Sequence, residues 1–454
     1  SAHCHREFIL FIGQMHGISL WRSQNFGKTH YCARNRRIFV IICFILSTYM
    51  AQAQSSKGSL VIVGGGLEPD NKAVYTRLIE LAGGPAKAGF GVIPSASGVP
   101  VQSWVSISKT LRSYGVKEEN IHLINIAVMD DDSTADADES KWAGNARDKR
   151  LARTVRACTG IWFTGGDQMR TMAALTGPDG NPTPVLDAVW EVYNRGGVIG
   201  GSSAGAAIMS EVMIGNGSSM GALQKGIITD NGPDNEETDA LLMSRGMGFF
   251  PEGIVDQHFN QRARIGRLVV ALMNSRDKFS LAFGVDENTA LIYSAADRSI
   301  EAAGVHGITL VDASQAAIVY RKGLPDITNL SLSYLEHGDK LQLGGKELIP
   351  AAGKKPTRGN EYYNRENPAQ GGVLSANGAT LRDVITINLI DNKAVEVVSN
   401  LSFTSGDQAY RLTFTKKPES QGFYRENDRE EDEYTVSDIR FDITPVNVKI
   451  STIE

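Results

Sequence analysis

Cysteine is scarce in this chain: there are four in 454 residues, and Cys4, Cys32 and Cys43 all precede residue 54. Without that first segment only Cys158 remains, so no intramolecular disulfide can form. The chain also lacks any HxxxH or HxxE pairing, so neither a metal nor a cofactor is implied. Positive charge is short as well. Lys and Arg number 46 against 51 Asp and Glu, a net charge of −5, which supplies no basic field for a nucleic-acid backbone. Glycine is plentiful, at 47 residues, but follows no three-residue period, so collagen is excluded; no internal repeat is present. What the chain does have is a hydrophobic content of 42% against 21% charged residues. That balance excludes a disordered polymer, and the length allows up to about three domains.

The amino-terminal residues read as an export signal preceded by upstream sequence. Arg34-Asn35-Arg36-Arg37 is followed by the apolar run Ile38 to Leu46 and then by Ala51-Gln52-Ala53. Basic, apolar and small residues in that order predict a signal peptide over about residues 34–53, cut before Gln54. The run is well short of the roughly 20 residues that span a bilayer, so after cleavage no membrane association is expected. The mature chain would be secreted or periplasmic. Residues 1–53 carry six Lys and Arg and one Glu, so their removal leaves 40 basic against 50 acidic residues, a net charge of −10.

From Ser59 to about Ser294, short apolar runs alternate with amphipathic stretches. Strands are predicted at Leu60–Val63, Gly91–Ile93, His122–Ile124, Gly160–Phe163, Gly197–Ile199, Ile254–Val255 and Leu281–Phe283. Trp104, Ile107, Leu111 and Tyr114 mark one helical stripe, and Leu186, Val189, Trp190 and Tyr193 another. This alternation predicts an α/β fold, a mostly parallel sheet with helices on both faces. Its site is expected beyond the carboxyl ends of the strands. Past Glu301 the pattern turns β-rich. Gly307–Val311 and Ala317–Tyr320 read as a hairpin, Ala351 to Gly372 as a loop or linker, and the rest as a C-terminal β-rich extension with a charged run from Arg425 to Glu433. The expected division is 1–53 upstream residues and signal, 54–345 catalytic, and 346–454 linker and extension.

One motif carries chemistry. Gly201-Ser202-Ser203-Ala204-Gly205 follows a predicted strand and opens a helix-like Ala206–Met209, which is GxSxG in the strand-turn-helix setting of a nucleophile elbow. Small neighbours are needed because the serine sits in a strained turn. The N–H of Ala204 and the paired glycines Gly165-Gly166 would supply an oxyanion hole. A serine nucleophile needs a base, and after residue 53 the histidines are His122, His258, His306 and His337. His258 follows a predicted strand and so is the best placed; Asp256, Asp286 and Glu287 are candidates for the acid that orients it. Asp286 and Glu287 are consecutive, so only one can face His258. Arg264 and Arg267 are expected on one helical face with Arg262 at its start, a cluster suited to a carboxylate-bearing substrate. The acidic run Asp130 to Glu139 lacks the glycine of a calcium-binding loop and reads as a solvated loop.

Four ordered motifs resemble cyanophycinase: Phe-Thr-Gly-Gly-Asp-Gln at 163–168, Gly-Ser-Ser-Ala-Gly at 201–205, Asp-Gln-His-Phe-Asn-Gln-Arg-Ala-Arg-Ile-Gly-Arg at 256–267, and Asp-Glu-Asn-Thr-Ala at 286–290. The likeness covers about residues 58–345. It implies a serine peptidase of the family that also holds aspartyl dipeptidase, with a fold like class I glutamine amidotransferases. The substrate it implies is cyanophycin, poly-aspartate bearing arginine on each β-carboxyl, degraded to β-aspartyl-arginine dipeptides. By resemblance Ser203 is the nucleophile, His258 the base and Glu287 the orienting acid, while Gln168, Gln257, Arg262, Arg264 and Arg267 match substrate-binding positions. A homodimer is implied in the same way. Ala263 stands where the family has Gly, and Ser202 where Thr is usual. The alternatives are an aspartyl dipeptidase of the same family and an inactive secreted protein that keeps the pocket.

Overall fold

A computed structural model of the protein describes residues 58–454, apart from 178–179, 230–237, 367–379, 404–406, 428–430, 450 and 453–454. The signal-peptide reading and the residues before it lie outside the described residues. Strand β1 (Ser59–Val63) shows how the sequence builds the central layer. Leu60 and Ile62 enter one core while Val61 and Val63 enter another, as a strand covered on both faces requires. Helices α1 (Lys72–Leu81) and α2 (Pro100–Ser113) bury Val74, Leu78, Ile107 and Leu111 on one side. On the other, α3 (Lys149–Ala157), α4 (Gln168–Leu175) and α5 (Pro184–Asn194) bury Val155, Leu175 and Val189. Between these layers β2 (Phe90–Ile93), β3 (Ile121–Leu123), β4 (Gly160–Phe163) and β5 (Val198–Ser202) run parallel in the order β1-β5-β4-β2-β3. The α/β class and its parallel core are therefore as the sequence predicts.

Beyond β5 come the one-turn helix α6 (Ala204–Ala207) and a small sheet of β6 (Val212–Asn216), β7 (Ile227–Ile228) and β8 (Leu241–Arg245), with α7 (Ser219–Lys225) between the first two strands. Next in the chain, β9 (Ile254–Asp256) and β10 (Leu281–Val285) are joined by α8 (Ile265–Asn274) and pair parallel with each other. They do not continue the parallel core, as the alternation suggests, but belong to a second sheet. β11 (Thr289–Ser294) then returns antiparallel to β1, with β12 (Ser299–Gly304) beside it. The turn at 286–288 is thus the crossing from the second sheet to the first.

β13 (Ile308–Asp312) and β14 (Ala317–Arg321) do not form the expected hairpin. Both pair instead with the 12-residue β15 (Leu324–Leu335), β14 on its first half and β13 on its second. Asn329, at φ 62, lies between the halves, where the register with a later strand also shifts. β16 (Lys340–Gln342) and β17 (Glu347–Ile349) extend the first sheet. After β18 (Lys355–Pro356) and α9 (Leu381–Ile385), strands β19 (Val397–Phe403), β20 (Gln408–Thr415), β21 (Gln421–Glu426) and β22 (Asp432–Asn447) follow. β22 pairs with β15, so the C-terminal strands widen the very sheet that carries β9 and β10. Of the charged run, Arg425 on β21 meets its strand partner Glu433 on β22 at 2.6 Å. Farther in, Lys354 and Asp339, both fully buried, pair at 2.9 Å. The Lys354 ammonium also donates to the Tyr434 carbonyl and the Thr435 hydroxyl, which satisfies the charge where water is absent.

The acidic stretch near residue 130 keeps Asp130, Asp132 and Asp136 exposed, as a solvated loop would, but folds around a buried carboxylate. Glu139 is fully buried and accepts from the Asp131 N–H and the Thr134 hydroxyl, while Asp130 accepts from the Glu139 N–H. The carboxylates close the segment on itself by capping its own backbone donors. Among the described residues, no helix is long and apolar enough to cross a membrane, and no group of three or more His, Cys, Asp or Glu is arranged to hold a metal ion.

Candidate active site

Ser203 sits at φ 55 and ψ −110, a backbone state that L-residues adopt at a cost, between β5 and α6. The flanking glycines are a steric necessity. A Cβ at Gly201 would overlap the backbone of Gly205, and one at Gly205 would overlap the carbonyl of Phe163. The turn is held by the Ser203 N–H, which donates to the Val63 carbonyl at 3.0 Å.

Because β9 and β10 are parallel neighbours, the residues just past their carboxyl ends emerge at the same edge. His258 lies two residues after β9 and Glu287 two after β10. The His258 Nε2 is 2.8 Å from the Ser203 Oγ, and its Nδ1 is 2.5 Å from the Glu287 Oε1. With Nδ1–H held by the carboxylate, the Nε2 lone pair faces the serine hydroxyl, the arrangement a general base needs. Burial lowers the His258 pKa from its ordinary value. The bond to Glu287 opposes that shift, and the charges of Arg262 and Arg264 add to it.

The other two candidate acids are engaged elsewhere. Asp286, directly after β10, is fully buried and accepts from the Asn260 N–H at 2.9 Å, the Gly307 N–H at 3.3 Å and the Tyr334 hydroxyl at 3.2 Å. Asp256 takes the guanidinium of Arg267 in a two-pronged pair at 2.8 and 2.6 Å.

A cavity of about 310 Å³ opens beside the serine, and its walls include Gly166, Gln168, Ser203, Gln257, Arg262, Arg264 and Arg267. Of the oxyanion-hole pair, Gly166 is on this wall, while Ala204 is fully buried and starts α6 directly after the serine. Arg264 and Arg267 both reach Asp256, at 3.7 and 2.6 Å, but only Arg267 lies inside a helix. Helix α8 begins only at Ile265, so Arg262 and Arg264 lie in the preceding turn, which Ala263 completes at φ 49, a conformation that favours Gly. Each guanidinium has a different setting. Arg267 is 3% exposed, bound to Asp256, and gives a further N–H to the Gly217 carbonyl at 2.7 Å. Arg264 donates to the Gln257 carbonyl at 2.6 Å, and burial pushes its pKa down to about 10. Arg262 is exposed and makes no side-chain hydrogen bond or ion pair among the described residues. Gln168 donates to the carbonyls of Ile214 and Gly215, whereas the buried Gln257 Oε1 has no partner among the described residues.

Two supports escaped the sequence reading. Gly64-Gly65-Gly66 follows β1 at the same edge as the elbow. The His258 N–H donates to the Gly64 carbonyl at 2.6 Å, a Cβ at Gly65 would overlap the imidazole, and a Cβ at Gly66 would come within 3.2 Å of the Glu287 Oε2. Three glycines directly after a predicted strand were the available signal. Gln261 holds the Glu287 N–H at 3.0 Å through its Oε1, and no local pattern marks it.

The family model for peptidase family S51 matches residues 143–300, a span that holds the elbow, His258 and Glu287. The chain is 32% identical over 296 residues to the cyanophycinase of Synechococcus elongatus, covering 63% of this chain and 80% of that one. It is 31% identical over 297 residues to the cyanophycinase of Geminocystis herdmanii, covering 63% and 94%. With the cyanophycinase of Trichormus variabilis it shares 27% over 312 residues, 67% of this chain and 92% of that one. A solved structure of a peptidase from an acI-B1 Actinobacterium aligns with 63% of this chain and 98% of its own at 20% identity and a TM-score of 0.42. On the likeness to the cyanophycinases of Synechococcus elongatus and Geminocystis herdmanii, taken with the matched family model, the chain belongs to peptidase family S51 and is a serine peptidase.

Proposed function

We propose that this protein hydrolyses cyanophycin to β-aspartyl-arginine dipeptides by way of an acyl-enzyme, with Ser203, His258 and Glu287 as its triad. The observation that carries the reading is the unbroken line from Ser203 Oγ through His258 to Glu287, at 2.8 and 2.5 Å, beside a cavity walled by arginines. The Ser203 oxygen attacks a backbone carbonyl carbon while the His258 Nε2 takes the hydroxyl proton. Negative charge on the carbonyl oxygen is met by the N–H groups of Ala204 and Gly166. The carbon–nitrogen bond breaks, His258 returns the proton to the leaving amine, and water, deprotonated by the same imidazole, releases the acid. Of the three arginines, Arg262 is the one whose guanidinium is open to a substrate carboxylate; Arg264 and Arg267 shape the wall through Gln257 and Asp256. Export is part of the proposal, on the basic, apolar and small segments of residues 34–53, and would bring the enzyme to polymer outside the cell.

The test is purified cyanophycin incubated with wild-type enzyme and Ser203→Ala, with mass spectrometry of the soluble products. β-Aspartyl-arginine from the wild type alone is expected. Release at a wild-type rate by the alanine variant would refute the nucleophile, and products from acidic dipeptides but not from the polymer would refute the substrate.

A further inference from the structure

Two cavities meet at a ridge that packs against Ser203. The turn Thr164-Gly165-Gly166 divides them: Gly166 and Ser203 line the arginine-bearing cavity, whereas Thr164, Gly165 and Ser202 line a second one of about 340 Å³. A Cβ on Gly165 would lie 3.4 Å from the Ser203 Cβ, so the turn that lines this second space packs against the nucleophile residue, which itself lines only the first. Its far wall is the face of α2 that carries Ser103, Ser106 and Thr110, and among the described residues no charged side chain lines it. Each cavity is also lined by a residue with a buried polar atom that has no partner among the described residues, Gln257 with its Oε1 in the first and Thr164 with its Oγ1 in the second. Gln257 is 5% and Thr164 7% exposed, so neither atom is compensated by bulk water.

We infer that the second cavity is a binding site for the uncharged part of the substrate on the other flank of the scissile bond, with the Thr164 hydroxyl bonding a peptide amide. This rests on the peptidase reading above, because a chain cleaved at Ser203 has to cross the ridge. The charge difference gives the two flanks different tasks. A carboxylate ending one substrate unit meets Arg262 on the first side. On the second side no cation waits, so backbone amides and methylenes are held there and any charged end of that unit stays in solvent. The enzyme thus reads the arginine branch on one side of the cut bond and only the backbone on the other.

The experiment uses a two-unit β-aspartyl-arginine substrate and two one-unit substrates. One of these keeps the unit on the carbonyl side as a methyl ester, the other keeps it on the amine side of an acetyl group. Thr164→Val, which removes the hydroxyl at constant volume, should lower kcat/KM on the two-unit substrate by about fivefold to tenfold. It should act on only one of the one-unit substrates, while Arg262→Gln acts on the other. Thr164→Ser should restore the rate. Thermal stability of Thr164→Val should be unchanged or raised, since a buried hydroxyl without a partner has been removed; a structural role predicts the reverse. The inference is overturned if Thr164→Val leaves the two-unit rate unchanged, or if both variants weaken the same one-unit substrate. A Ser203→Ala enzyme that still turns over would instead refute the triad, a separate outcome.

Discussion

The most quantitative consequence of the site concerns Asp286, the carboxylate that does not face His258. Three donors reach it, yet no cation does, and full burial pushes its pKa from 3.8 up to about 7. In the unfolded chain the same group ionises near 3.8. Between those values the folded protein keeps a proton that the unfolded chain has lost. Stability from this group is therefore fully present below pH ~4, declines as the pH rises, and is gone above ~7. A difference of roughly three units corresponds to an upper bound of about 4 kcal/mol. Asp286→Asn removes the titration. Its carbonyl can still accept from the Asn260 N–H and its amide can donate to the Tyr334 oxygen; the Gly307 N–H loses its acceptor, a penalty that does not vary with pH. Urea denaturation of both proteins from pH 4 to 8 should show the variant gaining on the wild type by up to about 4 kcal/mol across that range. A difference that stays constant to within about 1 kcal/mol would mean that Asp286 ionises normally in the fold. Because Asp286 makes no contact with the imidazole, this variant should also lose less activity than Glu287→Gln, which removes the charge 2.5 Å from Nδ1.

The pH dependence of kcat/KM should report His258: with its pKa lowered by burial, the acidic limb should fall below the unperturbed value of about 6.5, and a limb above that value would contradict the environment described. Arginine-to-lysine variants should separate the cluster. Arg267→Lys leaves buried Asp256 without its two-pronged partner and should destabilise the fold by about 2–4 kcal/mol in urea melts. Arg262→Lys should leave stability within about 0.5 kcal/mol of wild type and lower kcat/KM on the polymer about tenfold.

The parallel core was readable because its information is local. Leu60 to Val63 is apolar on both faces, the stripes of α2 and α5 have helical spacing, and the elbow motif names its own strand, turn and helix. Sheet membership was not readable in the same way. Ile254–Val255 and Leu281–Phe283 are apolar runs like the others, and nothing within them says that β13 rather than β1 lies alongside. The hairpin expected at 307–320 failed for a related reason: β15 is long enough to take both strands, and its length shows only when β22, more than a hundred residues later, supplies the opposite edge. Of the arginines only Arg262 departs from the expected helix, because Ala263 adopts a left-handed backbone, which delays α8 until Ile265; Arg264 caps the helix, and it and Arg267 both reach Asp256.

The choice between Asp286 and Glu287 shows where local reasoning ends. The two carboxylates are consecutive just past β10, so an extended chain would send them to opposite sides and one could meet His258, but both sides look alike from the sequence alone. The decision is made by what covers each side. On one, Tyr334 from β15 and the Gly307 N–H beside β13 close over Asp286 and exclude water. On the other, Gly65 and Gly66 leave room for nothing larger than hydrogen, and the imidazole and the Glu287 carboxylate fill that room. Catalytic assignment in this protein thus depends on a tyrosine 48 residues downstream and on glycines more than 200 residues upstream. The C-terminal strands enter the same chain of cause: β22 pairs with β15, β15 carries Tyr334, and the Leu381 N–H at the start of α9 donates to the Asn260 side chain two residues past the base. An extension that reads in sequence as an appendage is, in the fold, part of the support behind His258 and Glu287.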